Sequence, residues 1–100
     1  MHTVPLKLVT IIAEQLLETP LVADLKALGA RGYTGSAARG EGSRGVRASS
    51  WQDGNVRLET LVKPDVADRI LDRLATHYFP NYAVVAWVET VEVVRGDKFV

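Results

Sequence analysis

A chain of 100 residues, of which 47% are hydrophobic, has material for one hydrophobic core and excludes two separate domains. Its 12 basic and 12 acidic residues give zero formal net charge, which excludes attraction of nucleic acid or an anionic membrane by the molecule as a whole. There is no cysteine for disulfides or thiolate metal sites, and no apolar run of about 20 residues, so we expect a soluble, cytoplasmic protein without membrane insertion.

The first half of the chain predicts two strands around one helix. The β-branched segment LKLVTIIA, bounded by Pro5, predicts the first strand. Thr19 is expected to cap a helix that has Pro20 at its first position and Gly29 as its left-handed cap. The segment GYTGSAA then predicts a second strand of weak propensity.

The second half repeats the pattern with clearer signals. VRLETLV alternates apolar and polar residues, as a half-buried strand does. KPDVADRILDRLATHYF predicts an amphipathic helix with Pro64 in its first turn, and its interleaved aspartates and arginines indicate a solvated, ion-paired face. YAVVAWVETVEVV predicts a last strand, and its nearly continuous apolar start favours a central or subunit-covered position, with Trp87 in the core or a subunit contact.

The order strand, helix, strand, strand, helix, strand is that of the ferredoxin-like α+β fold. We therefore expect a βαββαβ sandwich with two helices on one face of a four-stranded antiparallel sheet, formed by residues 1–100 as a single domain. The connection between strands two and three, residues 37–55, is much longer than a usual hairpin loop, and such loops are either functional or disordered.

This long loop and the residues that flank it have an unusual composition. Five arginines lie in the stretch from Arg31 to Arg57, and the part from Arg31 to Gly54 holds six of the eight glycines and every serine. The segment RGEGSRGVR has glycines that let backbone N–H groups converge, and arginines that donate in pairs, as a phosphate cradle requires. The same composition is also typical of a flexible, solvated loop, and the residues alone leave both interpretations open. Trp51 either folds back onto the domain or anchors a partner.

Other chemistry finds little support. The spacing matches neither the P-loop nor the dinucleotide-binding fingerprint. His2 and His77 are far apart, without an acidic residue at ligand spacing, so we assign no metal. No nucleophile has an evident base, so we expect neither catalytic residues nor an enzyme.

The words GARGYT, GEGSRGVRASS, YFPNYAVV and VEVVRGDKF, together with the fold order and the long loop, resemble the PII-like signalling proteins. The likeness is to the carbon-sensing branch found beside bicarbonate transporter and carboxysome genes, and it covers nearly the whole chain. It implies a homotrimer with an adenine nucleotide in each cleft between subunits. It also implies that the loop, called the T-loop, changes order with the ligand and engages a partner.

The resemblance also implies which residues hold the nucleotide. Thr34 would lie against the adenine or ribose, and Arg95 would face the phosphates. Backbone around Ala83 and Val84 would close the cleft from the adjacent chain. The remaining phosphate contacts would come from the base of the T-loop: Gly42, Ser43, Arg44 and Arg47.

One departure from the family bears on the ligand. PII proteins proper carry a lysine-containing loop before the last strand that grips a triphosphate, whereas FPNYA has no lysine. ADP, AMP or cyclic AMP is therefore favoured over ATP, with bicarbonate as a possible second ligand and no prosthetic group. The resemblance implies regulation of inorganic-carbon uptake or fixation through a bicarbonate transporter or a carboxysome-linked protein.

Two alternatives share the fold order. A module that binds single-stranded RNA could use the arginines, but the strands lack the paired aromatics on which such modules stack bases, so no nucleic-acid partner is expected. A small metal-binding trimer or minor enzyme of the same fold would need ligands that the sequence lacks.

Overall fold

The computed structural model describes residues 1–40 and 54–99, and the predicted site residues Gly42, Ser43, Arg44, Arg47 and Trp51 lie outside the described residues. In the described part, four strands form one sheet in the order β2-β3-β1-β4, and each neighbouring pair is antiparallel. The elements, in chain order, are β1 (Thr3–Glu14), a 3-10 turn (Gln15–Leu17), α1 (Glu18–Leu28), β2 (Thr34–Ala38), β3 (Asn55–Val62), α2 (Pro64–His77), β4 (Val85–Val94) and a second 3-10 turn (Gly96–Phe99). The predicted ferredoxin-like α+β fold is confirmed.

The first strand starts at Thr3, earlier than the sequence predicts, so Pro5 lies inside it. At Pro5, β1 pairs with β4 alone, since its pairing with β3 begins only at Lys7. The missing N–H of a proline costs nothing on a side where no strand accepts it. Proline therefore does not end this strand.

Helix α1 also starts earlier, and Thr19 is not its cap. The 3-10 turn runs directly into the helix, so Leu17 occupies the cap position and makes no side-chain cap hydrogen bond. Pro20 is the third helical residue, where a backbone N–H still has no partner within the helix. The other end agrees with the prediction, since Gly29 caps the helix with a φ of 116°.

Helix α2 confirms the prediction, with Pro64 as its first residue. Asp65 and Arg69 form an ion pair of 3.3 Å one turn apart, as expected of a solvated face. Arg73 instead reaches Asp24 of α1 at 3.2 Å, so it joins the two helices.

The hydrophobic core lies between the helices and one face of the sheet. Leu21 and Leu25 of α1 and Ile70 and Leu74 of α2 are at most 2% exposed. They belong to the same buried cluster as residues at alternate positions of the two central strands, namely Val9, Ile11, Ala13, Val56, Leu58 and Val62. We call this side of the sheet the helix face and the other side the open face.

The last strand is shorter and placed differently from the expectation. It begins at Val85, because the residues before it form turns, with the N–H of Tyr82 donating to Tyr78 O and that of Val84 to Tyr82 O. It is an edge strand of the sheet, so a central position is wrong, and the alternative of a subunit-covered position stays a prediction. Trp87 is 39% exposed and is not part of the core of the described chain.

Candidate functional site

The middle of the open face carries a row of four cross-strand neighbours. Thr34 of β2 pairs with Glu59 of β3, which pairs with Thr10 of β1, which pairs with Trp87 of β4. Paired residues share a face of the sheet, so their side chains lie on one side. Thr34 is exposed, whereas Thr10 is fully buried. The predicted nucleotide contact at Thr34 therefore lies at the outer edge of this row.

The polar side chains of the open face are joined to one another. The carboxylate of Glu59 accepts from Arg57 at 3.1 Å and from Thr10 at 3.4 Å. The guanidinium of Arg57 also lies 5.8 Å from the ring centroid of Trp87, within range of a cation–π contact. This cluster holds charge next to an exposed aromatic ring on a face that the helices do not cover.

The two ends of the T-loop meet at one end of the sheet. Ala38, the last residue of β2, pairs with Asn55, the first residue of β3. Gly54 has a φ of +76°, and a side chain there would also meet the carbonyl oxygen of Ala38 at 3.4 Å. The N–H of Gln15 donates to the Gly54 carbonyl at 3.2 Å. We call Ala38, Gly54 and Asn55 the loop neck.

Ala83 and Val84 lie at the same end of the sheet as the loop neck. They directly precede β4, whose first residue, Val85, pairs with Ile12 near the end of β1. The N–H of Ala83 donates to Oε2 of Glu14 at 2.9 Å, and Glu14 itself pairs with Asn55. One residue of β1 therefore touches both the loop neck and the segment before β4.

The segment that leads to Ala83 is anchored by a buried tyrosine. The hydroxyl of Tyr78 donates to Oδ2 of Asp24 at 2.6 Å, and the same oxygen accepts from Arg73. Burial, followed by the hydrogen bond and the charge of Asp24, raises the pKa of Tyr78 to about 12. Tyr78 also stacks obliquely on Tyr82, at 6.2 Å between ring centroids. The hydrogen bond of Tyr78 to Asp24 therefore fixes the start of the segment that leads to Ala83 to both helices.

Arg95 lies at the opposite end of the sheet. It follows Val94, which pairs with Thr3, and the ten-residue β4 spans about 30 Å. Arg95 has a φ of 64°, a left-handed conformation that is costly for a residue with a side chain. Gly96 follows it, and a Cβ there would lie 2.7 Å from the Cβ of Val4. The close approach requires glycine at 96 and leaves Arg95 to make the turn.

The predicted site residues that the structure describes are therefore not together in one chain. Ala83 and Val84 adjoin the loop neck, Thr34 lies on the outer strand, and Arg95 is distant from both groups. Sequence reasoning missed Glu14, whose partner is 69 residues away along the chain, and the pairing of Tyr78 with Asp24.

Two further findings concern the described ranges 1–40 and 54–99. Within them, no three or more histidine or acidic side chains are grouped so as to hold a metal ion. The helices of the same ranges are all too short or too polar to cross a membrane.

Comparison with known proteins identifies the family. The family model for the Nitrogen regulatory protein P-II matches residues 6–98. The chain belongs to this PII family. The resemblance seen in the sequence is thus confirmed.

Solved structures of PII-like proteins agree with this assignment. A PII-like signaling protein from Thermus thermophilus is 58% identical over the full length of both chains, with a TM-score of 0.87. CPII from Thiomonas intermedia, bound to ADP and bicarbonate, is 25% identical over 98% of this chain and 97% of its own, with a TM-score of 0.85. A second CPII structure, bound to ADP, AMP and acetate, is similar in fold at 22% identity, covering 99% of this chain and 98% of its own, with a TM-score of 0.82.

Proposed function

We propose that this protein is a PII-like signalling protein that binds an adenine nucleotide, ADP or AMP, in clefts between the subunits of a homotrimer. The observation that carries the proposal is the likeness to CPII, which is bound to ADP and bicarbonate and shares the fold with a TM-score of 0.85. Cyclic AMP and ATP are the further nucleotides to compare. The role is regulatory, without catalysis.

The distribution of the site residues supports a cleft between subunits. Arg95 is separated from the loop neck of its own chain by the length of β4, about 30 Å. A bound nucleotide is much shorter than this distance. If Arg95 contacts phosphates held at a T-loop base, that T-loop belongs to a neighbouring chain.

The open face supports the assembly itself. Val85 is 54% exposed and Trp87 is 39% exposed, and both side chains lie on this face. Contiguous exposed apolar surface on a small domain is typical of an interaction site. In our proposal, neighbouring copies of the same chain cover it.

The nucleotide contacts follow the family pattern. Thr34 lies against the adenine or ribose, and the Ala83–Val84 backbone closes the cleft. Ala83 and Val84 adjoin the loop neck of their own chain, and in this proposal they close the cleft of the adjacent chain. Phosphate contacts come from Arg95 and from the T-loop base: Gly42, Ser43, Arg44 and Arg47.

The segment between α2 and β4 favours short phosphate chains. It contains no lysine between Tyr78 and Val84, so it supplies no ammonium group to a third phosphate. We therefore expect ADP or AMP to bind more tightly than ATP.

The output of the site is the T-loop, residues 37–55. In this proposal, a bound phosphate draws Arg44 and Arg47 inward, and Trp51 at the loop tip contacts the partner. The regulated process is inorganic-carbon uptake or fixation in the cytoplasm, with bicarbonate as second ligand and a bicarbonate transporter or carboxysome-linked protein as partner. Nucleotide binding should change the emission of Trp51, measured in a Trp87→Phe background.

Calorimetry with ATP, ADP, AMP and cyclic AMP, each with and without bicarbonate, tests the proposal. We expect one ADP or AMP per chain, in a particle of about 33 kDa by light scattering, three times the 10.9 kDa of one chain. A particle near 11 kDa, or the absence of nucleotide binding, would contradict it. Tight, salt-dependent binding of a single-stranded RNA oligonucleotide would favour the alternative RNA-binding function.

A further inference from the structure

Glu14 makes a contact to which the proposed function assigns no role. It is the last residue of β1 and only 9% exposed, although it is a charged side chain. Acidic side chains are almost never buried unless they are paired. Its Oε2 accepts the backbone N–H of Ala83 at 2.9 Å. A buried carboxylate is therefore directed at the backbone of a predicted nucleotide-contact residue.

The carboxylate replaces a hydrogen bond that the sheet does not make. The pairing of β1 with β4 ends at Ile12 and Val85, so Ala83 lies beyond the ladder. The N–H of Val84 turns away to Tyr82 O, at 3.0 Å. Charge-assisted hydrogen bonds are shorter and stronger than those between neutral groups. The side chain of Glu14 thus holds the chain where the backbone ladder no longer does.

The next residue holds the other side of the same region. The N–H of Gln15 donates to the carbonyl of Gly54 in the loop neck, at 3.2 Å. Two consecutive residues, the last of β1 and the first of the turn after it, therefore fix the segment before β4 and the return of the T-loop. These two contacts therefore set the distance between the loop neck and the Ala83–Val84 segment, which forms a wall of the proposed cleft.

We propose that Glu14 is a positioning residue of the nucleotide site, which holds the Ala83–Val84 backbone in the geometry that receives the ligand. It acts through Ala83 and does not contact the nucleotide. The inference rests on the proposed function, because it assigns Ala83 and Val84 to the cleft. Without the carboxylate, the N–H of Ala83 loses its acceptor, and the wall of the cleft is no longer fixed before the ligand arrives.

Three variants of the full-length protein test the proposal. Glu14→Leu removes the acceptor and keeps the volume, whereas Glu14→Gln keeps an oxygen that can accept from Ala83. Gln15→Ala is the matched control, because it removes the neighbouring side-chain contact with Glu18, at 2.7 Å, and leaves both backbone contacts in place. ADP affinity is measured by calorimetry, particle mass by light scattering, and exchange of the Ala83 amide by NMR.

The expected results separate positioning from a general loss of stability. Glu14→Leu should weaken ADP binding about tenfold and speed exchange of the Ala83 amide, while the particle mass stays that of the wild type. Glu14→Gln should restore ADP affinity to within about threefold of the wild type, and Gln15→Ala should match the wild type. In the wild type, the Ala83 amide should be protected before ADP is added.

The contrary results are equally distinct. Wild-type ADP binding together with an unchanged affinity in Glu14→Leu would overturn the positioning role and leave the proposed function standing. A wild type that binds no adenine nucleotide would overturn both. Should Glu14→Leu fail to assemble, the wild type alone decides, since an Ala83 amide that exchanges as fast as an exposed one would refute the proposal.

Discussion

The two faces of the sheet differ in how much of their apolar surface the chain itself buries. On the helix face, Val9 and Leu58 are fully buried by the helices of the same chain. On the open face, Val85 and Trp87 are 54% and 39% exposed beside the linked charges of Arg57 and Glu59. The helix face is complete in one chain, whereas the open face leaves apolar surface exposed, which we propose other copies cover. In this proposal the first determines whether the chain folds, and the second determines whether it assembles.

The largest expected effect is on the helix face. Leu21 of α1 has no exposed surface, so Leu21→Ala leaves a cavity in the core. Such substitutions lower the free energy of unfolding by about 3 kcal/mol, which urea denaturation measures. The particle mass in native buffer should not change. A decrease of less than about 1 kcal/mol in the free energy of unfolding would show that the helix face is loosely packed.

Trp87→Ala tests the open face, where the expected effect is on assembly. A buried interface tryptophan is worth about 2 kcal/mol or more, so the variant should dissociate at concentrations where the wild type stays assembled. Sedimentation velocity over a dilution series measures this shift, with Leu21→Ala as the control that keeps its mass. An unchanged association constant would mean that copies do not meet on this face.

The polar contact between the helices gives a smaller, pH-dependent effect. Tyr78 hydrogen bonds to Asp24, and its pKa is raised from 10.0 to about 12. Because the folded state keeps a proton that the unfolded chain releases, this stability is fully present below pH 10 and is lost as the pH rises toward 12.

Tyr78→Phe should accordingly lower the free energy of unfolding by about 1 to 2 kcal/mol at pH 8, and by progressively less above pH 10. Urea denaturation at several pH values measures the difference from the wild type. Tyr82→Phe, at a tyrosine that is 36% exposed, is the control. A difference that stays constant up to pH 12 would contradict the assignment.

The smallest change in stability is expected at Arg95, with opposite effects on folding and binding. Arg95→Gly removes the cost of a left-handed backbone, so the free energy of unfolding should rise by about 1 kcal/mol or less. ADP affinity should nevertheless fall at least about tenfold, because the guanidinium is lost. Arg95→Ala is the paired control, since it loses the same affinity without the gain in stability. Unchanged ADP affinity in both variants would remove Arg95 from the site.

The sequence predicts the elements well where the signal is local. The helical period after Pro64 identifies α2, and the glycine after Leu28 identifies the end of α1. Strand ends are less predictable, because the effect of Pro5 depends on whether β3 lies beside it. The edge position of β4 is hard to predict for a similar reason, because strand order is set by pairing between distant segments and not by the apolar run itself.

The residue types of the site come from the resemblance and stay predictions, whereas the arrangement of the described ones comes from the sheet. The resemblance names Thr34 and Arg95, but only the register of the sheet places them far apart within one chain. Glu14 gives no signal in the sequence, because a glutamate at the end of a strand is ordinary and its partner is a distant backbone N–H. The arginine-rich stretch at residues 41–53 lies outside the described residues, so its predicted phosphate contacts stay predictions.

The most direct test of the central claim is whether two different chains complete one nucleotide site. Arg44→Ala and Arg95→Ala subunits are purified separately and also co-expressed, and ADP binding of each preparation is measured by calorimetry. Each variant alone should bind weakly. In randomly mixed trimers, about one site in four combines an intact Arg44 with an intact Arg95 from its neighbour, and that fraction should recover wild-type affinity. If both arginines act within one chain, every site lacks one of them, and the absence of any recovered high-affinity binding would contradict the account.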